Sequence, residues 1–246
     1  MDYGVLARSY NTLDYPDLLK KKLIAFFKYN SFDGYSKYEL HQRINDVLFQ
    51  NYEGEEILKY KLAKSFLRNQ YIAAFEVRAL NSRADFLVIN GDTKCFEVKS
   101  KIDTLNRLKK QSQDYSDVFE FNSVVIDEKH LCLVEKIIPP YYGIWGFTGS
   151  KKIIFREAQL SPFLNPASQL GLLTKKELNK HFGNATIIEI VASYNNETIN
   201  QRLKDALKLR YQKRWNFVKD NWDKILPMDL QFFFNTNVNP ELIYNV

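Results

Sequence analysis

Histidine and cysteine are scarce in this chain, which narrows its possible chemistry. The 246 residues include three His and two Cys, Cys95 and Cys132. Because the histidines are scattered and the thiols isolated, zinc chemistry and histidine-based nuclease mechanisms are poor hypotheses. Both cysteines lie in runs typical of strands, so we expect two buried free thiols in a reducing cytoplasm rather than a disulfide.

Long apolar runs, repeats and low-complexity tracts are also missing. No apolar run approaches the length of a membrane span, and the Met1-Asp2-Tyr3-Gly4 start lacks the basic-then-apolar pattern of a secretory signal. Glycine and proline are sparse, at nine and seven residues. These features predict a folded cytoplasmic protein without a membrane partner. The length suits one large domain or a core with an appended subdomain.

The charge is basic and uneven along the chain. The formal net charge is +6, and residues 151–246 hold 14 Lys and Arg against 9 Asp and Glu. A basic balance favours polyanions such as nucleic acid and speeds encounter with them. Composition alone is equally compatible with a basic protein that binds no polyanion.

Two short apolar runs joined by Asn90-Gly91-Asp92 predict a β-hairpin, because Asn-Gly between such runs is a strong turn signal. Side chains alternate between the faces of a strand, so Glu97 and Lys99 share one face while the apolar residues between them enter a core. The hairpin brings Asp85 back beside them. Two carboxylates and an ammonium in a small space suit Mg²⁺-assisted phosphodiester cleavage.

The same residues also have an ordinary interpretation, because Glu-x-Lys on a strand is commonly a pair of solvated side chains. Neighbouring features strengthen the functional interpretation. Glu76 lies in the preceding strand-like run, and Arg83 comes just before Asp85. A helical stretch after the hairpin carries Arg107, Gln111 and Tyr115 about one turn apart.

This pattern resembles the PD-(D/E)XK nuclease superfamily, in particular a bacterial and phage branch of these restriction-endonuclease-like proteins. The similarity covers residues 70–135. One departure is Ala84, which stands where the superfamily commonly has proline. The matching positions are Glu76, Arg83-Ala84-Asp85, Glu97-Val98-Lys99-Ser100, Asp103, Arg107-Leu108, Gln111 and Tyr115.

The resemblance implies a role for each matching residue. It makes Asp85 and Glu97 metal ligands, with Glu76 completing the metal site, and it includes Val98 in the metal set. Lys99 would assist the attacking water, and Gln111 would support the site from the following helix. The implied cofactor is Mg²⁺, with Mn²⁺ as a substitute. Residues expected to bind nucleic acid are Arg83, Lys101, Arg107, Lys208, Arg210, Lys213 and Arg214.

The order of elements predicts an α/β fold, a restriction-endonuclease-like mixed sheet flanked by helices, with a helical C-terminal extension. We expect N-terminal helices over residues 1–70, a nuclease core over 71–150 and a basic, mainly helical region over 151–246. Within them we expect helices at 17–30, 37–49, 53–69 and 103–117, with Asp103 as the cap of the last. Strands are expected at 71–78, 84–90, 94–100, 122–126, 131–134 and 143–147.

Two helices are expected in the C-terminal region. Thr174 and Glu177 form a capping box, and Gly183 ends that helix. A longer helix over 198–222 carries an apolar stripe, which we expect to pack on the core. Its Lys and Arg residues have two open interpretations, phosphate contact or simple solvation. The Phe232-Phe233-Phe234 run likewise belongs either to the core or to an interface.

Two functions follow from these observations. The first is a metal-dependent nuclease that hydrolyses nucleic acid, DNA favoured over RNA, with water attacking the phosphodiester. The alternative is a catalytically silent subunit on a nuclease fold, binding nucleic acid or a partner within a defence or phage system. A protein partner or a homo-oligomer is compatible with either function.

Overall fold

The fold is a mixed α/β arrangement around one sheet, seen here in a computed structural model that describes residues 2–28, 31–67 and 70–245. The described strands are Ile72–Ala79 (β1), Ser82–Asn90 (β2), Asp92–Lys99 (β3), Phe121–Ile126 (β4), Gly143–Thr148 (β5) and Lys151–Arg156 (β6). The described α-helices are Tyr3–Ser9 (α1), Pro16–Phe27 (α2), Lys37–Asn51 (α3), Glu55–Lys64 (α4), Leu108–Ser116 (α5), Leu131–Ile137 (α6), Pro166–Leu170 (α7), Lys175–Phe182 (α8), Ile187–Ser193 (α9), Asn196–Asp220 (α10), Leu230–Thr236 (α11) and Pro240–Tyr244 (α12).

The described strands form a six-stranded sheet in sequence order, β1-β2-β3-β4-β5-β6. The pairs β1/β2, β2/β3 and β5/β6 are antiparallel, while β3/β4 and β4/β5 are parallel. Gly91 adopts φ +72° in the turn between β2 and β3, a conformation that glycine reaches without a Cβ clash. The mixed sheet, the central hairpin and the strand that begins at Gly143 are therefore confirmed. The last strand, β6, lies beyond residue 150.

The main core lies on the face of the sheet that carries the aromatic residues of the central strands. Phe75, Phe86 and Phe96 pair across β1, β2 and β3 and are buried. Trp215 of α10 meets Phe86 with ring centroids 5.9 Å apart. The expected packing of the long helix's apolar stripe is confirmed, and Phe233 and Phe234 are also fully buried in this core.

Helices α1 to α3 have a smaller apolar cluster of their own, and a buried carboxylate ties them to the C-terminal segment. Asp229 accepts hydrogen bonds from the hydroxyls of Tyr10 at 2.8 Å, Thr12 at 2.7 Å and Tyr244 at 2.7 Å. Its side chain is fully inaccessible to solvent. The first and last parts of the described chain therefore meet around one polar centre.

Several predicted boundaries hold and others shift. The capping box at Thr174/Glu177 is confirmed, and α3 begins with another, formed by Ser36 and Glu39. The long C-terminal helix begins and ends two residues earlier than expected, at Asn196 and Asp220. The predicted helix ends at residues 30 and 69 lie outside the described residues.

Three predictions were wrong. Residues 131–134 belong to helix α6 rather than to a strand, with Val134 buried, and the Cys132 thiol, which was expected to be buried, is exposed. A four-residue apolar run does not distinguish a strand from a helix. Asp103 does not cap α5, which begins at Leu108 after Arg107. Its carboxylate accepts instead from the amide and hydroxyl of Ser100, at 2.7 and 2.6 Å.

Candidate active site

Three acidic residues stand side by side on the face of the sheet opposite the aromatic core. Phe75 pairs with Phe86 and Phe86 with Phe96, so the adjacent positions Glu76, Asp85 and Glu97 follow in the same register across β1, β2 and β3. Because neighbouring residues of a strand point to opposite faces, a core of Phe side chains on one face places these acids on the other. The site is a direct consequence of the apolar pattern that builds the core.

Glu76 has an unusual backbone conformation. Its φ is +55°, and the pairing between β1 and β2 is interrupted at its position, between Phe75 and Val77. A left-handed conformation costs a residue with a Cβ about 1 to 2 kcal/mol. Strained backbone of this kind is concentrated at functional sites.

Asp85 is held by two different donors. Its Oδ2 accepts the Val98 amide at 2.7 Å, and its Oδ1 lies 3.0 Å from the Lys59 ammonium. Burial raises the pKa of Asp85, and Lys59 and the Val98 amide oppose that rise. The main chain of Val98 therefore positions Asp85, while the valine side chain offers no metal ligand.

Glu97 is the most enclosed of the three acids and is surrounded by donors. Its Oε1 accepts from Lys99 at 2.7 Å and Gln111 at 2.5 Å, and its Oε2 lies 2.7 Å from the Tyr115 hydroxyl. Burial raises the pKa of Glu97 to about 7, the nearby Asp85 adds to the rise, and Lys99 opposes it. The raised pKa means that the anionic form of Glu97 is disfavoured in this enclosed position, and a nearby cation would stabilise that form.

Lys59 of α4 is a site residue that the sequence prediction missed. Its ammonium lies 2.7 Å from Glu76 Oε1, 3.0 Å from Asp85 Oδ1 and 3.3 Å from Glu55 Oε1. Burial alone lowers the pKa of Lys59, but these carboxylates outweigh it and hold the pKa above its ordinary value. The sequence signal was the i,i+4 pair of Glu55 and Lys59, which predicts a surface ion pair and not a contact with β1 and β2.

An open cleft of about 740 Å³ is lined by Glu76, Asp85, Glu97, Lys99 and Gln111. Glu55 also lies along it, with 44% of its side chain exposed. Besides Lys99, the cations along the cleft are Arg78, Arg83, Arg107 and Lys110. Of these, the sequence prediction had named Arg83 and Arg107. The Arg78 signal was its position two residues after Glu76, on the same face of β1.

The other residues predicted to bind nucleic acid do not line this cleft. Lys101 is exposed and pairs with Glu53 at 2.7 Å. Arg210 makes two hydrogen bonds to the Glu177 carboxylate, and Arg214 lies over the Phe234 ring. These arginines, with Lys208 and Lys213, belong to α10, which packs on the aromatic face of the sheet.

The donor set fits one hard divalent cation. Among the described residues, no three His, Cys, Asp or Glu side chains form a ready metal-ligand group. Mg²⁺ nevertheless takes only one or two protein carboxylates and keeps several waters. Asp85 and Glu97 are adjacent carboxylates, and Gln111 Oε1 is a buried acceptor without a donor in the described part of the chain. That oxygen suits a water molecule held by such an ion.

Comparisons with known proteins bear on the identity of the chain. Residues 50–233, which include the whole sheet and the cleft, match the model of the family described as bacteriophage P4 protein cII. Protein cII of Enterobacteria phage P4 is 31% identical over 100 residues, 39% of this chain and 38% of that protein, so the match spans well under half of the relative's length. A solved protein of unknown function from Silicibacter pomeroyi is 16% identical with a TM-score of 0.37, over 56% of this chain and 93% of that one.

No described helix combines the length and apolar character that a membrane span requires. The family match covers most of the chain and contains every acid of the cleft. The chain belongs to the bacteriophage P4 protein cII family.

Proposed function

We propose that this protein is a metal-dependent nuclease of the PD-(D/E)XK type that hydrolyses phosphodiester bonds of nucleic acid. The observation that supports this most strongly is the meeting of Asp85, Glu97 and Lys99 in one open cleft. Acids and a lysine placed on neighbouring strands beside a space open to substrate are the parts that phosphodiester hydrolysis needs.

Asp85 and Glu97 would hold a Mg²⁺ ion, which Mn²⁺ would replace, with Glu76 beside them as a third acid. When bound, such an ion polarises the phosphate and lowers the pKa of a water molecule. Lys99 holds its ammonium 2.7 Å from Glu97, where its N–H groups orient the attacking water and offset charge on the phosphate oxygens. The side-chain N–H of Gln111 donates to Glu97 Oε1 and holds it in place. The Oε1 atom of Gln111 itself stays available as an acceptor.

The cations of the cleft supply contacts to the substrate backbone. Arg83 and Arg107 are exposed, and Arg78 and Lys110 extend the same charge along the cleft. Arginine and lysine bind phosphates on either side of a cleaved bond without reading sequence. The proposed substrate is therefore a polynucleotide, with DNA as the first candidate. The proposed location is the cytoplasm. The open cleft is compatible with a protein partner or a second copy of the chain.

A cleavage assay tests this proposal. Purified protein is incubated with Mg²⁺ or Mn²⁺ on circular DNA, linear DNA, single-stranded DNA and RNA, with an EDTA control. Lys99→Ala is compared with Lys94→Ala. The control removes a lysine from the same strand, but from the opposite face of the sheet. We expect cleavage by wild type and Lys94→Ala, and loss of cleavage in Lys99→Ala, with retention of the folded state in both variants checked by circular dichroism. Equal cleavage by wild type and Lys99→Ala contradicts the site assignment.

One observation favours a second function, a catalytically silent nucleic-acid-binding protein. Every carboxylate oxygen of Asp85 and Glu97 already has a donor from the chain itself. Such a protein binds DNA in a salt-dependent manner without Mg²⁺-dependent products. Calorimetric titration with Mn²⁺ separates the two functions, because the nuclease binds the ion and loses binding in Asp85→Asn, while the silent protein shows no difference.

A further inference from the structure

The Lys59 ammonium lies among carboxylates, in a position where a metal ion could otherwise balance their charge. It is surrounded by carboxylates from three elements, Glu55 of α4, Glu76 of β1 and Asp85 of β2. Only 4% of the residue is exposed. Glu55 and Glu76 are more exposed than Asp85. The Lys59 ammonium approaches these three acids from the α4 side.

Lys59 also pairs with the one oxygen of Asp85 that accepts no hydrogen bond from the backbone of the strands. Asp85 Oδ2 is committed to the Val98 amide, so Oδ1 is the oxygen that remains for a cation. Lys59 occupies Oδ1 at 3.0 Å and binds Glu76 Oε1 at 2.7 Å. A divalent cation that binds these oxygens must therefore displace the ammonium or share them with it.

Charge explains why the chain keeps a lysine there. The Lys99 ammonium balances Glu97, so Glu55, Glu76 and Asp85 are left with Lys59 as their cation among the described contacts. Buried carboxylates without a cation destabilise a fold strongly. Lys59 thus stabilises the site before any ion arrives, and the same attraction opposes the ion.

We infer that Lys59 is an internal counter-cation that competes with the divalent ion and sets the metal affinity of the free protein. The inference rests on the metal site of the proposed function. Lys59 is a positioning residue, acting through Asp85 and Glu76 and not on the substrate. Metal affinity in the free protein is accordingly low, and it rises when the lysine charge is removed.

The experiment is a calorimetric Mn²⁺ titration of wild type, Lys59→Met and Lys59→Gln, without nucleic acid. Lys59→Gln retains a donor for Glu76 and removes only the charge. Lys64→Met is the matched control, an exposed lysine on the same helix. Melting temperatures are measured in EDTA and in saturating Mn²⁺.

We expect both Lys59 variants to bind Mn²⁺ at least about tenfold more tightly than wild type, because a unit charge a few ångström away interacts strongly in a partly buried site. Both should melt lower in EDTA and recover in Mn²⁺, while Lys64→Met matches wild type. Binding by the Lys59 variants where wild type binds no Mn²⁺ detectably gives the same support.

Two results overturn the inference. One is Mn²⁺ affinity in both Lys59 variants within twofold of wild type, and the other is failure of both to fold even in saturating Mn²⁺. Asp85→Asn, run in parallel, separates this from failure of the proposed function. If Asp85→Asn loses binding while the Lys59 variants match wild type, the metal site stands and the role of Lys59 falls. If no protein binds Mn²⁺, both fall.

Discussion

Asp229 offers a sharp test of how the two ends of the described chain are joined. Its carboxylate is fully buried and accepts from Tyr10, Thr12 and Tyr244. Burial raises the pKa of Asp229 from 3.8 to about 6, against the lowering effect of these hydroxyls. Asp229→Asn replaces the titrating group with a neutral side chain of nearly equal size.

The sign of the pH dependence follows from the direction of this shift. Because the folded pKa lies above the unfolded value, the folded state binds the proton more tightly. The contribution of Asp229 to stability is therefore fully present below about pH 3.8 and is lost as the pH rises through about 6. The lost stability amounts to about 3 kcal/mol, at 1.36 kcal/mol for each pKa unit.

His41 has the opposite dependence in the same pH window. Burial lowers its pKa to about 4, so its contribution is present above about pH 6.5 and is lost as the pH falls. The two effects offset each other in wild type. The difference in unfolding free energy between wild type and Asp229→Asn removes the part of the His41 contribution that is common to both proteins.

The assay is urea unfolding of wild type and Asp229→Asn, followed by circular dichroism between pH 4 and pH 7. We expect the stability of wild type relative to Asp229→Asn to fall by about 2 to 3 kcal/mol across that range. Asp46→Asn, which changes an exposed acid on α3, should track wild type. A difference between wild type and Asp229→Asn that stays constant with pH refutes the reasoning.

Three further predictions concern the core, the hairpin and the cleft. Lys204→Met leaves buried Glu120 without the partner 3.1 Å away, and urea titration should show a loss of about 3 to 5 kcal/mol in the free energy of unfolding. Gly91→Ala places a Cβ at φ +72°, and thermal melting should show a loss of about 1 kcal/mol. Arg107→Ala should reduce the salt slope of DNA binding by about 1, measured by fluorescence anisotropy, while Arg8→Ala on α1 leaves the slope unchanged.

The sequence by itself determined the hairpin and the acids on it. Alternation along β2 and β3 decides which side chains face the core, and Asn90-Gly91 fixes the turn. Asp85, Glu97 and Lys99 therefore had to meet wherever the hairpin packed. The capping boxes were equally readable, because their donors and acceptors lie within one helical turn.

Tertiary structure alone decided which other elements complete the site. Lys59 reaches Asp85 and Glu76 because α4 packs beside β1 and β2, and no local pattern encodes that approach. The same holds for the basic residues of α10, whose charge suggested a binding surface. Burial of Trp215 against Phe86 places that helix on the aromatic face, away from the cleft. Local spacing fixes contacts within an element or a hairpin, whereas contacts between distant elements depend on how their apolar faces pack.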